Sequence, residues 1–276
     1  MGKITASRQI TEGVIWKLIL ILFFPILLGT FFQQMYNTVD TIIVGRFVST
    51  RALAAVGTTG PLVNMISGFF TGLSSGATVI LAQFYGANDP KGVDRTLHTG
   101  FSLSLILGLL VTAVGCGLGP TILTWMQTPE ECLEMAGTYL RIYFAGSLAS
   151  MVYNMEAGIL RAMGDSRTPV YSLAAACIVN IIMDIVLVVY GRMGVAGAAL
   201  ATVLSQVISA GMLLVVLLRQ RDFPLRFGEL CLDGKLLKRI LLIGIPAGLQ
   251  FVTFDLSNTL IQSGINSFGS VVMAAW

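Results

Sequence analysis

Five charged residues fall inside stretches otherwise apolar enough to lie in lipid: Asp40, Arg141, Glu156, Asp184 and Asp255. A charge deep in a bilayer is costly, so an intramembrane acid is a functional candidate. Asp40 stands six residues before Arg46, and Asp184 eight before Arg192. At 1.5 Å per helical residue, both are expected roughly 9–12 Å below one membrane surface. Asn180 is one helical turn before Asp184 and shares its face. Thr202, eight residues after Gly194, enters from the same side and reaches the same depth. Two carboxylates, an amide and a hydroxyl at one depth make an oxygen-rich site. Such a site suits Na⁺, a hard cation that takes oxygen ligands, or a proton held on a buried acid beside a like charge.

Gln34 and Asn37, on the segment of Asp40, and Asp255, nine residues past Pro246, are candidates for a substrate cavity. Glu156, five residues before Arg161, is expected to reach water or to pair with that arginine. Arg141, just after Tyr139, is expected to snorkel at a helix end beside an interfacial aromatic. Pro25 and Pro246 each remove a backbone hydrogen bond inside an apolar run and allow a kink that couples the acid site to helix movement. Gly68, Gly72 and Gly76, and Gly197 with Ala201, have the four-residue spacing of helix-packing seams. Cys116, Cys132, Cys177 and Cys231 are scattered, and the lone His98 completes no metal site with them.

These residues need membrane helices to hold them. Hydrophobic residues are 55% of the chain and charged ones 11%, against about 25% charged in soluble domains. No nucleophile, metal or cofactor motif lies in a water-exposed segment, which excludes a soluble enzyme, and the net charge of +3 forms no nucleic-acid footprint. Seven runs are long enough for the roughly 20 residues that cross a bilayer: about 17–45, 53–84, 96–125, 135–160, 168–191, 194–218 and 237–263, with an eighth opening at Val271. The clusters 86–90, 127–130 and 164–169 punctuate them as turns. With the N-terminus inside, thirteen Lys and Arg fall on the cytoplasmic side and three outside, Arg141 being set aside within its run. That bias places the N-terminus in the cytoplasm.

One segment recurs. Lys17, Pro25, Asn37, Thr38, Phe47 and Ala54 match Lys238, Pro246, Asn258, Thr259, Phe268 and Ala275 at a constant offset of 221 residues. Six helices separate the copies, so both enter the membrane in the same direction, as in transporters built from parallel repeats. The expected organisation is a six-helix lobe (1–218), a cytoplasmic linker (219–236) and the start of a second lobe (237–276). Trp276 falls inside an apolar run, which reads as a truncated form of a two-lobe protein.

Three motifs in order carry a family resemblance: Tyr36 to Arg46 (YNTVDTIIVGR), Arg161 to Pro169 (RAMGDSRTP) and Gly194 to Thr202 (GVAGAALAT). They resemble the helix 1 signature, the helix 4–5 loop and the helix 6 opening of multidrug and toxic compound extrusion (MATE) transporters, and the resemblance runs through the whole chain. It implies an all-α polytopic membrane protein: the N-terminal lobe of a twelve-helix, two-lobe transporter plus the first helix of the second lobe. It further implies a bacterial inner-membrane antiporter, monomeric in its full-length form, that exports organic cations or other toxic compounds against Na⁺ or H⁺ and uses no other cofactor. Members of the branch resembling DinF use an N-lobe polar site, and Asp40, Asn180, Asp184 and Thr202 match it in type and place. Ile185 departs from the family, where many members carry proline. The mainly acidic intramembrane charges favour cationic substrates over the alternatives: a flippase for lipid-linked saccharides, or a short remnant that self-associates or transports nothing.

Overall fold

The computed structural model describes residues 15–125 and 130–266, and these residues are helical apart from short connections. The expected turn residues Gln127 to Pro129, the repeat matches Phe268 and Ala275, and the eighth run at Val271 lie outside them. The helices are α1 (Ile15–Phe47), α2 (Thr50–Gly86), α3 (Pro90–Trp125), α4 (Glu130–Ala145), α5 (Ser147–Ala162), α6 (Arg167–Asp184), α7 (Gly194–Leu218) and α8 (Gly234–Asn266). Both repeat copies form helices of 33 residues with an internal proline, Pro25 in α1 and Pro246 in α8.

The turn clusters of the sequence act as caps, because the first N–H groups of a helix need acceptors. Ser49 accepts from Ala52 N at 3.0 Å at the start of α2. Asp89 Oδ1 accepts from Gly92 N at 3.1 Å at the start of α3, where Pro90 occupies a first-turn position that needs no N–H. Asp165 Oδ1 accepts from Arg167 N and Thr168 N at 3.1 and 3.0 Å at the start of α6. The preceding Gly164 has φ 92°, which a side chain would strain.

Five helical segments are long and apolar enough to cross a membrane: α2, α3, α6 with its continuation, α7 and α8. At 33 residues α1 also has the length. The fourth run differs from expectation. It is two helices of 16 residues, α4 and α5, joined at the single residue Gly146. Gly146 N is shared between the carbonyls of Ile142 and Tyr143 at 3.2 and 3.0 Å, and a Cβ there would stand 2.5 Å from Val203 of α7. The break thus comes with a close approach of two helices.

Packing follows the small residues. α2 lies along α8, with Gly72 against Gly248, Gly76 against Gly244 and Ile240, and Gly68 against Phe251. This is the seam expected from the glycine spacing, and it pairs with a second glycine stripe on α8. Gly197 instead meets Leu187 and Met193 of its own hairpin. The largest buried cluster, including Phe70, Leu81, Phe101, Met151 and Leu213, joins α2, α3, α5 and α7. Phe24, Phe31, Leu109, Ile178 and Leu242 are exposed at the periphery, as expected where lipid is the solvent.

The 219–236 segment packs onto the helix ends. Leu225 N donates to Leu217 O at 3.0 Å, Phe223 and Phe227 meet Tyr85 and Phe101 edge-on, and Asp233 N donates to Thr99 Oγ1 at 3.3 Å. Its anchor is His98, which is buried.

Candidate cation site and its cavity

Residues of α1, α2, α4, α5, α6 and α7 line an open cavity of about 620 Å³. Its lining is unusually polar for a membrane lobe. Gln34, Asn37 and Asp40 come from α1, Asn64 and Ser67 from α2, and Thr202 and Gln206 from α7. Tyr139 and Tyr143, one turn apart on α4, stack at 6.4 Å, and the Tyr143 hydroxyl lies 3.0 Å from Ser67 Oγ. Thr71 Oγ1 donates to Asn154 Oδ1 at 3.1 Å and ties α2 to α5.

Behind this lining, α1 packs along α6 and α6 along α7. Asn180 and Asp184 are fully enclosed there, and Asp40 and Thr202 are 6% and 5% exposed. The carboxyl groups of Asp40 and Asp184 face each other across the α1–α6 interface. The two carboxyls lie within hydrogen-bond reach of each other, and beyond that pairing Asp40 Oδ1, both Asp184 oxygens and both polar atoms of the Asn180 amide have no protein partner. Buried polar atoms are nearly always paired, and an unpaired buried charge costs several kcal/mol. Two buried carboxyls and an amide with no other protein partner are chemically what a proton or a small hard cation satisfies.

α6 ends at Asp184 and continues as a π-helical stretch, Ile185–Tyr190. Gly191 N reaches back to Val186 O at 2.8 Å. The widened turn begins at Ile185. Such bulges recur at functional sites.

The structure separates the sequence candidates into two compartments. Asp40 and Thr202 line the cavity, as do Gln34, Asn37 and Pro25. Asn180 and Asp184 stand behind it. Asp255 does not line this cavity: it sits on α8, with Oδ2 3.5 Å from where a Cβ on Gly68 would lie. Pro246 is exposed on α8. Arg141 is exposed, whereas Tyr139 is a cavity residue and not an interfacial anchor.

Glu156 meets neither expectation. It is fully buried, and both of its carboxylate oxygens lack a partner, Arg161 included. Arg161, counted among the cytoplasmic loop charges, turns into the cavity instead. Sequence reasoning also missed Asn154, Tyr143 and Gln206 as lining residues. Their signal was present as polar or amphipathic groups within apolar runs, but their facing depends on helix rotation.

Near the 219–236 segment, His98, Asp94 and Glu229 bring ligand-type atoms within 4.8 Å of one another. Arg226 N donates to His98 Nε2 at 3.1 Å, so Nδ1 carries the ring proton and donates to Asp94 O at 2.8 Å. Neither ring nitrogen keeps a free lone pair for a metal, and the histidine is structural.

The chain has relatives of known family. It is 31% identical over 279 residues to the "Probable multidrug resistance protein YoeA" of Bacillus subtilis (strain 168), covering 98% of this chain and 60% of that protein. Among solved structures, a MOP superfamily transporter from Pyrococcus furiosus, described as having a binding pocket of reverse polarity, superposes with a TM-score of 0.90 at 28% identity. That match covers 99% of this chain and 61% of that one. A multidrug resistance MATE transporter in an outward-facing conformation superposes at 0.88 and 29% identity, over 95% and 58%. The chain thus spans about 60% of the length of the relative it matches. The MatE family profile matches residues 25–186, more than half of the sequence, and the chain belongs to the MatE family.

Proposed function

We propose that this protein is the site-bearing lobe of a secondary antiporter that exports toxic small molecules in exchange for Na⁺ or H⁺. The observation that carries the reading is the double placement of Asp40. Its side chain lines the cavity, and its carboxyl also faces Asp184 in the buried cluster. One residue therefore belongs to both the substrate compartment and the ion compartment.

Two unit charges 4 Å apart repel by about 4 kcal/mol at an effective dielectric of about 20. A close carboxylate pair is therefore held together by positive charge, and it relaxes apart when that charge leaves. Asp184, Asn180 and Thr202 hold the cation or proton, and Asp40 closes the site from the cavity side. Loading draws Asp40 away from substrate, and α1, with Pro25 on the cavity wall, transmits the change. Similarity to multidrug resistance proteins supports export of small molecules, and the charge bias supports a cytoplasmic N-terminus in a bacterial inner membrane.

The test is cation-driven dye efflux from everted membrane vesicles. Asp40→Asn and Asp184→Asn should each abolish efflux while the protein still inserts and remains monodisperse. Imposing a Na⁺ gradient and a pH gradient in turn identifies the coupling ion. Normal efflux by both variants sinks the assignment.

A further inference from the structure

The segment that joins α7 to α8 is held by a titratable ring that the export mechanism does not use. His98 is 1% exposed. It stands on α3, whose 36 residues exceed the roughly 20 that cross a bilayer, and Lys91, Asp94 and Arg95 mark this end of the helix as polar. The ring proton on Nδ1 is given to Asp94 O at 2.8 Å, and Nε2 accepts the Arg226 N–H at 3.1 Å. Nε2 can accept only while it carries no proton. We propose that His98 is a proton-operated catch: a proton taken up at Nε2 sets N–H against N–H and releases residues 226–232 from α3.

The bonds on either side of that stretch do not involve the ring. Leu225 N is tied to Leu217 O, and Asp233 N to Thr99 Oγ1. Between them Arg226 N meets the imidazole, and the next residue, Phe227, meets Phe101 edge-on. Withdrawal of Arg226 N therefore carries an aromatic contact with it.

The surroundings accept a charge on the ring. Asp94 Oδ1 lies 3.7 Å from Nδ1, and ligand-type atoms of Asp94, His98 and Glu229 lie within 4.8 Å of one another. Glu229 is held by Arg226 Nη1 at 2.8 Å, and Arg226 is also within electrostatic reach of Asp94. Once Nε2 carries a proton, the Glu229 carboxylate is the acceptor at hand, and reaching it moves 226–229 off its seat. Among the described residues the other charges nearby are directed elsewhere. Arg95 approaches Asp233. On α8, Arg239 donates to Gln83 Oε1 at 3.1 Å, and Lys235 and Lys238 are exposed. α2 carries one charged residue, Arg51, at its far end, and α7 carries none. On α5, Glu156 is sealed in the core and Arg161 turns to the cavity. α4 meets the opposite end of α3, where Cys116 approaches Arg141 O.

The hold belongs to the neutral ring, so it is present at high pH and lost as pH falls. Imidazole is the side chain whose ordinary charge change lies between about pH 5 and 8. The release stands without the export reading. Only its consequence rests on that reading: a slackened connection lets the helices it joins move further apart as the cytoplasmic side acidifies.

The chain has a single histidine, so ¹⁵N-histidine labelling of the purified protein reads this ring alone. Cys231, free and exposed within the released stretch, carries a nitroxide spin label, and the labelled Cys231→Ser protein supplies the background. At about pH 8 the ring should carry its proton on Nδ1 and the label should be immobilised. Between about pH 8 and pH 5 the second nitrogen should gain its proton, and the immobilised component at Cys231 should be lost with the same midpoint. In His98→Gln the side-chain carbonyl can still accept from Arg226 N but does not titrate, so the label should stay immobilised throughout. The proposal is overturned if the ring takes its proton with no change at Cys231, if it takes none down to pH 5, or if His98→Gln responds to pH as the wild type does. The first two outcomes are read on the wild-type ring and decide the matter even where the variant fails to fold.

Discussion

A Cβ on Gly72 would stand 2.3 Å from both Cα and N of Gly248, so α2 and α8 meet backbone to backbone at this point. A side chain on Gly72 would force the helices apart, and one on Gly248 would press on the Phe69 ring at 2.8 Å. In lipid, where burying apolar surface gives no driving force between helices, such close contact is what holds two helices together. Gly72→Leu should therefore lower the thermal unfolding midpoint by an amount equivalent to about 1–3 kcal/mol. Gly211→Ala on α7 is the control. A Cβ there meets nothing within 4 Å, so that variant should be neutral or slightly stabilised. Equal behaviour of the two variants in detergent melts would show that the seam carries no stability.

The buried polar cluster of the proposed cation site sets stability against activity. Asn180 is enclosed with both amide atoms unpartnered, a burden of about 1–3 kcal/mol. Asn180→Leu should raise the melting midpoint and abolish cation-driven efflux together. A midpoint that falls would mean that the amide is paired in the working protein.

Glu156 offers the parallel case outside the cavity. It is the one carboxylate of α5, fully buried and unpartnered. Glu156→Leu should also stabilise the protein, since an apolar group of similar size replaces an unpaired acid. A lowered midpoint would show that the carboxyl makes a structural bond in the membrane.

The 219–236 segment depends on one ring. His98 Nε2 takes the Arg226 N–H, Thr99 takes that of Asp233, and Arg95 approaches the Asp233 carboxylate at 3.9 Å. The ion pair is surface-exposed and contributes little, so the histidine is the stronger hold. His98→Ala should expose the segment to trypsin at Arg219, Arg221 and Arg226 within a digestion time that leaves the wild type intact. An unchanged digestion pattern would mean that the aromatic contacts of Phe223 and Phe227 suffice.

The sequence by itself determined the solvent, the order of the apolar runs, most turns and the grouping of the buried polar residues proposed as the cation site. Each of these is written in local pattern. Runs without charge have to span lipid, Asp and Pro beside Gly have to cap or turn, and depth along a helix follows from residue count. Asp40, Asn180, Asp184 and Thr202 could be grouped because depth and helical face are one-dimensional quantities. The glycine spacing on α2 likewise announced a seam, though not its partner on α8. Tertiary structure decided what depends on rotation and on neighbours. Gly146 breaks the fourth run because α7 approaches there, which no periodicity records. Whether Glu156 reaches water and whether Arg161 faces the loop or the cavity turn on helix rotation by a fraction of a turn. The same rotation sorts the acids into Asp40, which the cavity sees, and Asp184, which it does not. Composition predicted an acidic interior, and packing left a cavity with one charge of each sign.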